Sequence, residues 1–256
     1  MEIGYLLGGV MSLIFYRISR QQCISILNLW LENYIRNKKL LVCFYALIIS
    51  VLFLILEKVS EMQLINGIVI FSVIEISGSN LIIRHKYSEY KRYFYDALIM
   101  ISRSFIATFI TPLIIILMFG NGAVIAYTLF YYLSNYFNSN LGEKILNYIY
   151  IVSSIIGVGF LYVVYIFRNK TIKIDFRGEF LKNLLHMPLL NIYILCSYIE
   201  SVNFYYIEHK EVVHYLRSYG WYQGKIDITT INDLFSIIYG TAGFILIIFI
   251  FLINII

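Results

Sequence analysis

Long apolar runs separated by short polar stretches follow one another along almost the whole chain. Five runs have close to the roughly 20 residues that a helix needs to cross the hydrocarbon core of a membrane. These runs are 40–56, 64–83, 98–119, 146–167 and 235–256. Because a helix satisfies its own backbone hydrogen bonds within hydrocarbon, the pattern predicts an all-α fold, an integral membrane helical bundle.

Three further apolar runs are shorter or more polar, and we expect amphipathic or interfacial helices among them. The first, 3–16, has no basic residues before it and no small-residue cleavage site after it, which favours a retained, partly inserted helix over a signal peptide. The run 189–207 is a weaker candidate for a span. The run 122–137 contains four tyrosines, which favour the membrane interface, so we expect a re-entrant or interfacial helix there.

Basic residues are concentrated in three polar stretches, 17–39, 84–96 and 168–182. Each has more Lys and Arg than Asp and Glu, which predicts that all three face the cytoplasm. Three apolar runs lie between the second and third stretches, and three full crossings would place those stretches on opposite sides of the membrane. One of the three runs is therefore not a full span, and we expect that this run is 122–137.

The longest polar stretch, 208–234, has acidic and basic residues in near balance and two glycines that are typical of a turn. It predicts a small extramembrane lobe. Because no internal repeat or linker is visible, the sequence predicts a single polytopic membrane domain over 1–256.

Composition supports a membrane protein and argues against several other classes. The 256 residues are 60% hydrophobic and 14% charged, whereas soluble domains have about a quarter charged residues. The net charge of +5 is spread over several loops, which argues against nucleic-acid binding. Cys23, Cys43 and Cys196 lack the spacing of a disulfide framework or a zinc site. We expect a multi-pass protein of the cell membrane whose partners are the lipid bilayer and either another membrane protein or a second copy.

Three ionisable residues within apolar runs are the first candidates for a polar pocket: Glu75, Arg103 and Glu200. Placing such a group in the membrane costs roughly 2.5–3.5 kcal/mol on insertion scales, so these side chains usually face a bundle interior. Glu75 and Arg103 are expected on antiparallel neighbouring helices, where they would pair, with Glu200 as a third member. In the alternative, Arg103 extends to the lipid headgroups. A structural pair is favoured over a functional pocket.

Two further polar residues are candidates: His186 precedes the predicted helix start at Met187-Pro188, and Asn203 precedes an aromatic run. Each could be a hydrogen-bonding group in a cleft or a polar residue at the interface. His209 and His214 are five residues apart, which on a helix does not give the spacing of a ligand pair, so no metal site is expected. Neither a phosphate-binding glycine loop nor a nucleophile motif is visible. The sequence therefore identifies no catalytic residue.

Short matches over most of the chain have the spacing of one membrane family. They are Gly4-Tyr5-Leu6-Leu7, then Ile24, Leu27, Trp30, Leu31 and Glu32, then Thr111-Pro112-Leu113, Gly122-Ala123-Val124-Ile125-Ala126-Tyr127 and Leu146-Asn147-Tyr148-Ile149, and finally Gly224, Ile228-Thr229 and Asp233. On these residues the chain resembles the CbiB/CobD family, the cobinamide-phosphate synthases of cobalamin biosynthesis. The resemblance implies a carbon-nitrogen ligase that joins aminopropanol or its phosphate to cobyric acid, with a corrinoid substrate, ATP and Mg.

The positions where that family has polar motifs differ here. They fall on Ser12, Leu13 and Ile14, on Ser19 and Arg20, on Arg103, Ser104 and Ala107, on Tyr131, Tyr132 and Ser134, and on Val152. Most of these are not the carboxylates, amides or cations that Mg and phosphates require. A second interpretation is therefore a degenerate member, a non-catalytic regulatory or partner membrane protein that kept the fold. A third is a transporter with Glu75, Arg103 and Glu200 as a midplane polar site.

Overall fold

A computed structural model describes residues 2–15, 18–35, 38–58, 62–76, 90–210, 213–220 and 228–255. In these ranges the helices are α1 (Glu2–Ile14), α2 (Arg20–Tyr34), α3 (Lys38–Lys58), α4 (Gln63–Val73), α5 (Tyr90–Ser104), a π-helix (Phe105–Ile110), α6 (Thr111–Tyr136), α7 (Asn140–Asn169), α8 (Phe180–His186), α9 (Pro188–Ile199) and α10 (Ile228–Ile255). Strands β1 (Phe204–Lys210) and β2 (Val213–Tyr219) form one antiparallel hairpin, with Phe204 opposite Tyr219. The prediction of a helical membrane bundle is confirmed, and the extramembrane lobe over 208–234 stays a prediction.

Three helical stretches in the described part of the chain are long and apolar enough to cross a membrane: Phe94–Tyr136, Asn140–Asn169 and Thr229–Ile255. They make the chain a helical membrane protein. Shorter apolar helices accompany them at Ile3–Ile14, Phe44–Leu56, Gln63–Val73 and Pro188–Ile199.

Two apolar runs form shorter helices than their length predicts. In the run 64–83, α4 ends at Val73, Ile74 is extended and residues 75–76 are not helical, while 77–89 lie outside the described residues. In the run 189–207, α9 ends at Ile199 and β1 begins at Phe204. At about 1.5 Å per residue, the 12 residues of α9 are too short for a hydrocarbon core of about 30 Å.

The chain divides into two compact units, each made of separate stretches. Unit 1 comprises Met1–Ser77, Ala107–Leu146 and Gly243–Ile256, and unit 2 comprises Gly78–Ile106 and Asn147–Ala242. The single membrane domain expected from the sequence stays a prediction.

Glycines allow two helices of unit 1 to approach closely. A Cβ atom added to Gly8 of α1 would lie 2.1 Å from the carbonyl oxygen of Gly67 in α4, and one added to Gly4 would lie 1.9 Å from that of Gln63. Small residues at such crossings bring helix backbones together in membranes, where dispersion contacts drive association. The α1–α4 contact therefore depends on these glycines.

Helix α6 is interrupted at Gly120, whose backbone (φ 78°, ψ −171°) is not helical. A glycine adopts this conformation without a Cβ clash. If straight, the 43 residues of Phe94–Tyr136 would extend about 65 Å, twice the thickness of the hydrocarbon core. This stretch is therefore not one straight crossing, and the re-entrant or interfacial role of 122–137 stays a prediction.

In unit 2, α5 packs against α9 and the hairpin. Leu98 and Ile101 of α5 and Ile192 of α9 are fully buried. The Tyr95 hydroxyl donates to the backbone oxygen of Asn203 over 2.5 Å, and the Tyr95 ring contacts that of Phe204 edge to face. These contacts hold the start of β1 against α5.

Candidate functional site

Glu75 is positioned by the non-helical segment 74–76, which follows α4 in unit 1. Its backbone N–H donates to the carbonyl oxygen of Thr108 over 2.9 Å, and the Thr108 hydroxyl donates to the carbonyl oxygen of Glu75. Thr108 lies in the π-helix, a form that shifts the intrahelical hydrogen bonds by one residue and is frequent at functional sites. The reciprocal bonds fix the backbone of Glu75, which is 2% exposed.

The carboxylate of Glu75 accepts two hydrogen bonds within unit 1. Its Oε2 atom lies 3.0 Å from the backbone nitrogen of Arg20 and 3.0 Å from the hydroxyl of Tyr132. Arg20 is the first residue of α2, where backbone N–H groups lack helical acceptors and the helix dipole favours an anion. These donors compensate the burial of the carboxylate.

The side chain of Arg20 brings a cation to the same buried region. Arg20 is 8% exposed, and its guanidinium lies 4.6 Å from the centre of the Phe71 ring. Such cation-aromatic contacts are stronger when water is excluded. A buried carboxylate, phenol and guanidinium therefore belong to one cluster, which we call the Glu75 cluster (Arg20, Phe71, Glu75, Thr108 and Tyr132).

A second polar cluster in unit 1 lies beside the break in α6. The Tyr5 hydroxyl donates to Asn121 Oδ1 over 2.8 Å, and Asn121 Nδ2 donates to Asn66 Oδ1 over 2.6 Å. Asn66 and Asn121 are 0% and 3% exposed. Asn66 Nδ2 has no hydrogen-bond acceptor within the described ranges. Buried amides of this kind link helices in membrane proteins.

Glu200 follows the last residue of α9 in unit 2, and its side chain is 2% exposed. Arg168 Nη2 lies 3.1 Å from Glu200 Oε2 and 3.5 Å from Asp233 Oδ2. Burial raises the pKa of the Glu200 carboxyl to about 7; Arg168 opposes this rise and Asp233 adds to it. The cost of desolvating the Glu200 carboxylate exceeds its attraction to Arg168, because the Arg168 side chain is 36% exposed and is shared between two carboxylates.

The five candidate residues lie in different parts of the two units. Glu75 belongs to unit 1, whereas Arg103, which is half-buried on α5, and Glu200 belong to unit 2. The pair between Glu75 and Arg103, with Glu200 as a third member, therefore stays a prediction. The ion-pair partner of Glu200 is Arg168. His186 is exposed at the end of α8, and Asn203 accepts from Tyr95 through its backbone.

The hairpin changes the basis of the histidine prediction. His209 and His214 lie opposite each other in β1 and β2, whereas the spacing argument assumed a helix. Among the residues that the structure describes, no group of three or more His, Cys, Asp or Glu side chains could hold a metal ion.

The sequence analysis did not identify several residues of these clusters. Tyr132 was named only as an interfacial tyrosine and a replaced motif position, and the structure shows that it is buried and donates to Glu75. Asn66 and Asn121 interrupt apolar stretches, a signal comparable to that of Glu75. Arg168 was assigned to a basic loop, and its pairing with Glu200 depends on contacts distant in sequence.

Comparison of the chain with protein-family models, curated proteins and solved structures finds no match.

Proposed function

We propose that the chain is a multi-pass protein of the cell membrane, a degenerate relative of the cobinamide-phosphate synthases that acts as a non-catalytic regulatory or partner protein. One observation supports this proposal most. The resemblance assigns polar family motifs to the positions of Arg20 and Tyr132, and both residues contact the carboxylate of Glu75. Two segments distant in sequence therefore converge on one buried cluster, as positions of a former substrate site would.

The chemistry of the Glu75 cluster favours a structural role over ligation. The family reaction needs carboxylates for Mg and cationic or amide donors for phosphates. Here Glu75 Oε2 accepts two hydrogen bonds from the chain itself, and phenols occupy the motif positions 131 and 132. A carboxylate bound by internal donors stabilises the helices that it connects.

An enzymatic assay tests the proposal. The purified protein in lipid nanodiscs is incubated with cobyric acid, ATP, Mg and aminopropanol phosphate, and products are measured by mass spectrometry. We expect no amide product, while a family member with complete motifs gives product under the same conditions. Product from this chain would show that it is a carbon-nitrogen ligase and would overturn the proposal.

Crosslinking in native membranes tests the partner role. It should recover a stoichiometric companion or a second copy, and a clean monomer would contradict that role.

A transport function is a second candidate because α6 is interrupted at Gly120 beside the buried Asn121. Discontinuous membrane helices line the substrate sites of many transporters. Uptake of cobyric acid into proteoliposomes that Glu75→Gln abolishes would favour transport. Uptake that is unchanged by Glu75→Gln would remove the cluster from any transport path.

A further inference from the structure

A cavity of about 840 Å³ lies in unit 2, beside the last turn of α7 and the residues that follow it. Three cationic side chains line it, those of Arg168, Lys170 and Lys173, together with the phenols of Tyr165 and Tyr198. Among the described residues, those that line the cavity include no acidic side chain. Its volume is sufficient for a group of several heavy atoms.

Hydrogen bonds hold the walls of this cavity in place. The Tyr165 hydroxyl lies 2.6 Å from the Thr171 hydroxyl and donates to the carbonyl oxygen of Lys173 over 2.8 Å. Asn169 Nδ2 donates to the carbonyl oxygen of Tyr198 over 2.6 Å. Tyr165 therefore attaches the segment after α7 to that helix, and Asn169, the last residue of α7, attaches the helix to α9, which fixes the cavity before any ligand binds.

The cations of the lining are not equivalent. Arg168 is engaged by Glu200 and Asp233. Lys170 and Lys173 are exposed and make no ion pair with any residue that the structure describes. The cavity thus presents two ammonium groups that no carboxylate of the described chain neutralises, beside the Ser201 hydroxyl and the second N–H of the Asn169 amide, which can donate further hydrogen bonds. This combination favours an anion with several acceptor oxygens.

The position of the cavity at the end of α7 makes a lipid headgroup one source of such an anion. Helix α7 is one of the stretches able to cross the membrane, and it ends at Asn169. The cavity therefore lies where a crossing helix leaves the hydrocarbon core, at the level of lipid headgroups. Basic residues and tyrosines at this level interact with anionic headgroups.

We propose that this cavity binds a phosphate group, with Lys170 and Lys173 as the principal cations and the phenol of Tyr198 beside them. The phosphate belongs either to the headgroup of an anionic phospholipid or to a soluble phosphate compound. This inference is independent of the proposed function, because the Glu75 cluster belongs to unit 1.

The test compares two ligand sources and two variants. Native mass spectrometry of the full chain in a neutral detergent measures the binding of phosphatidylglycerol, with phosphatidylcholine as the neutral lipid. Thermal unfolding in the same detergent measures stabilisation by inorganic phosphate and pyrophosphate. The test variant is Lys170→Gln with Lys173→Gln; the matched control is Lys182→Gln, which removes an exposed charge from the same basic stretch outside the cavity.

We expect the double variant to weaken binding about 25-fold, since each cation near an anionic membrane surface contributes a factor of about five. The Lys182→Gln variant should bind as the unaltered chain does. Preference for phosphatidylglycerol alone identifies a lipid site, and stabilisation by phosphate or pyrophosphate identifies a soluble ligand. Equal binding of both lipids with no response to phosphate, or equal loss in the control variant, would overturn the proposal. Circular dichroism confirms that each variant is folded.

Discussion

At the scale of single residues, two buried carboxylates are compensated differently. Glu75 receives a backbone N–H at a helix N-terminus and a tyrosine hydroxyl. Glu200 pairs with one arginine that it shares with Asp233, and its Oε1 atom has no hydrogen-bond donor within the described ranges. An unsatisfied oxygen adds to the cost of the ionised form. This cost contributes to the dominance of burial in the titration of Glu200.

The titration of Glu200 predicts how stability depends on pH. Its pKa rises from an ordinary value of 4.5 to about 7 on folding, so its contribution to the free energy of unfolding is full below pH 4.5 and is lost as pH rises through about 7. The effect is at most about 3 kcal/mol, and solvent around the exposed part of Arg168 reduces it. Thermal unfolding in detergent between pH 5 and 8 should show this loss.

The Glu200→Gln variant should have a smaller loss of stability across that pH range, because glutamine stays neutral. Glu143→Gln removes an exposed carboxyl from α7 and is the matched control for a change of one charge. An unaltered slope in Glu200→Gln would show that another group causes the pH dependence.

The sequence predicted these residues unequally. Glu75 and Glu200 are conspicuous because a carboxylate in an apolar run has a high transfer cost. The partners were not predictable, since Tyr132 lies 57 residues from Glu75 and Arg168 lies 32 residues from Glu200. A pattern along the chain indicates which side chains need a partner, and tertiary packing decides which residue supplies it.

At the scale of elements, the length of each apolar run predicted which runs form helices better than it predicted where those helices end. The runs 146–167 and 235–256 correspond to the long helices α7 and α10. The run 64–83 is interrupted because residues 74–76 leave the helix and bond to the π-helix through Glu75. A backbone segment can leave a helix inside an apolar run only where other groups satisfy its hydrogen bonds.

The glycine contact between α1 and α4 gives a prediction at this scale. In Gly8→Ala the new methyl would lie 2.1 Å from the Gly67 carbonyl oxygen and 2.5 Å from Ile70 Cγ2, so the helices must separate. We expect a loss of about 1–3 kcal/mol in the free energy of unfolding, as for other overpacked sites. Thermal or denaturant unfolding in detergent measures the change.

Gly159→Ala is the matched control for this substitution. Gly159 lies within α7, and a Cβ atom there has no neighbour within 4 Å. Alanine has the higher helix propensity, so this variant should be as stable as the unaltered chain or slightly more so. Equal destabilisation by both substitutions would show that loss of glycine itself, and not the helix contact, determines the result.

At the scale of the whole molecule, the charges of the loops and the lengths of the helices together predict a topology. The stretches 17–39 and 168–182 are basic, and the positive-inside rule predicts that both face the cytoplasm. The stretch 84–96 lies mostly outside the described residues. Helix α7 is a single uninterrupted stretch of 30 residues, long enough for one crossing. Residues before α7 should therefore face the opposite side from residues after it.

Cysteine labelling tests this topology with residues that the chain already offers. Cys23 is exposed on α2 and reports on the first basic stretch, once Cys43 and Cys196 are replaced by serine. In a background without Cys23, Asn138→Cys reports on the turn before α7 and Lys173→Cys on the segment after it; both positions are exposed. A membrane-impermeant maleimide should label Asn138→Cys from outside intact cells. It should label Cys23 and Lys173→Cys only in inverted vesicles.

The labelling pattern also decides how many crossings precede α7. If Cys23 and Lys173→Cys react from the same side and Asn138→Cys from the other, the number of full crossings between α2 and α7 is odd, because each crossing changes the side. With α3 as one crossing, the chain from α4 to α6 must then cross an even number of times, which agrees with a break at Gly120 that directs 122–137 away from a further full span. If Asn138→Cys and Lys173→Cys react from the same side, α7 does not cross the membrane and the topology is wrong. If Cys23 and Asn138→Cys react from the same side and Lys173→Cys from the other, the number of crossings before α7 is even, and 122–137 is a further full span.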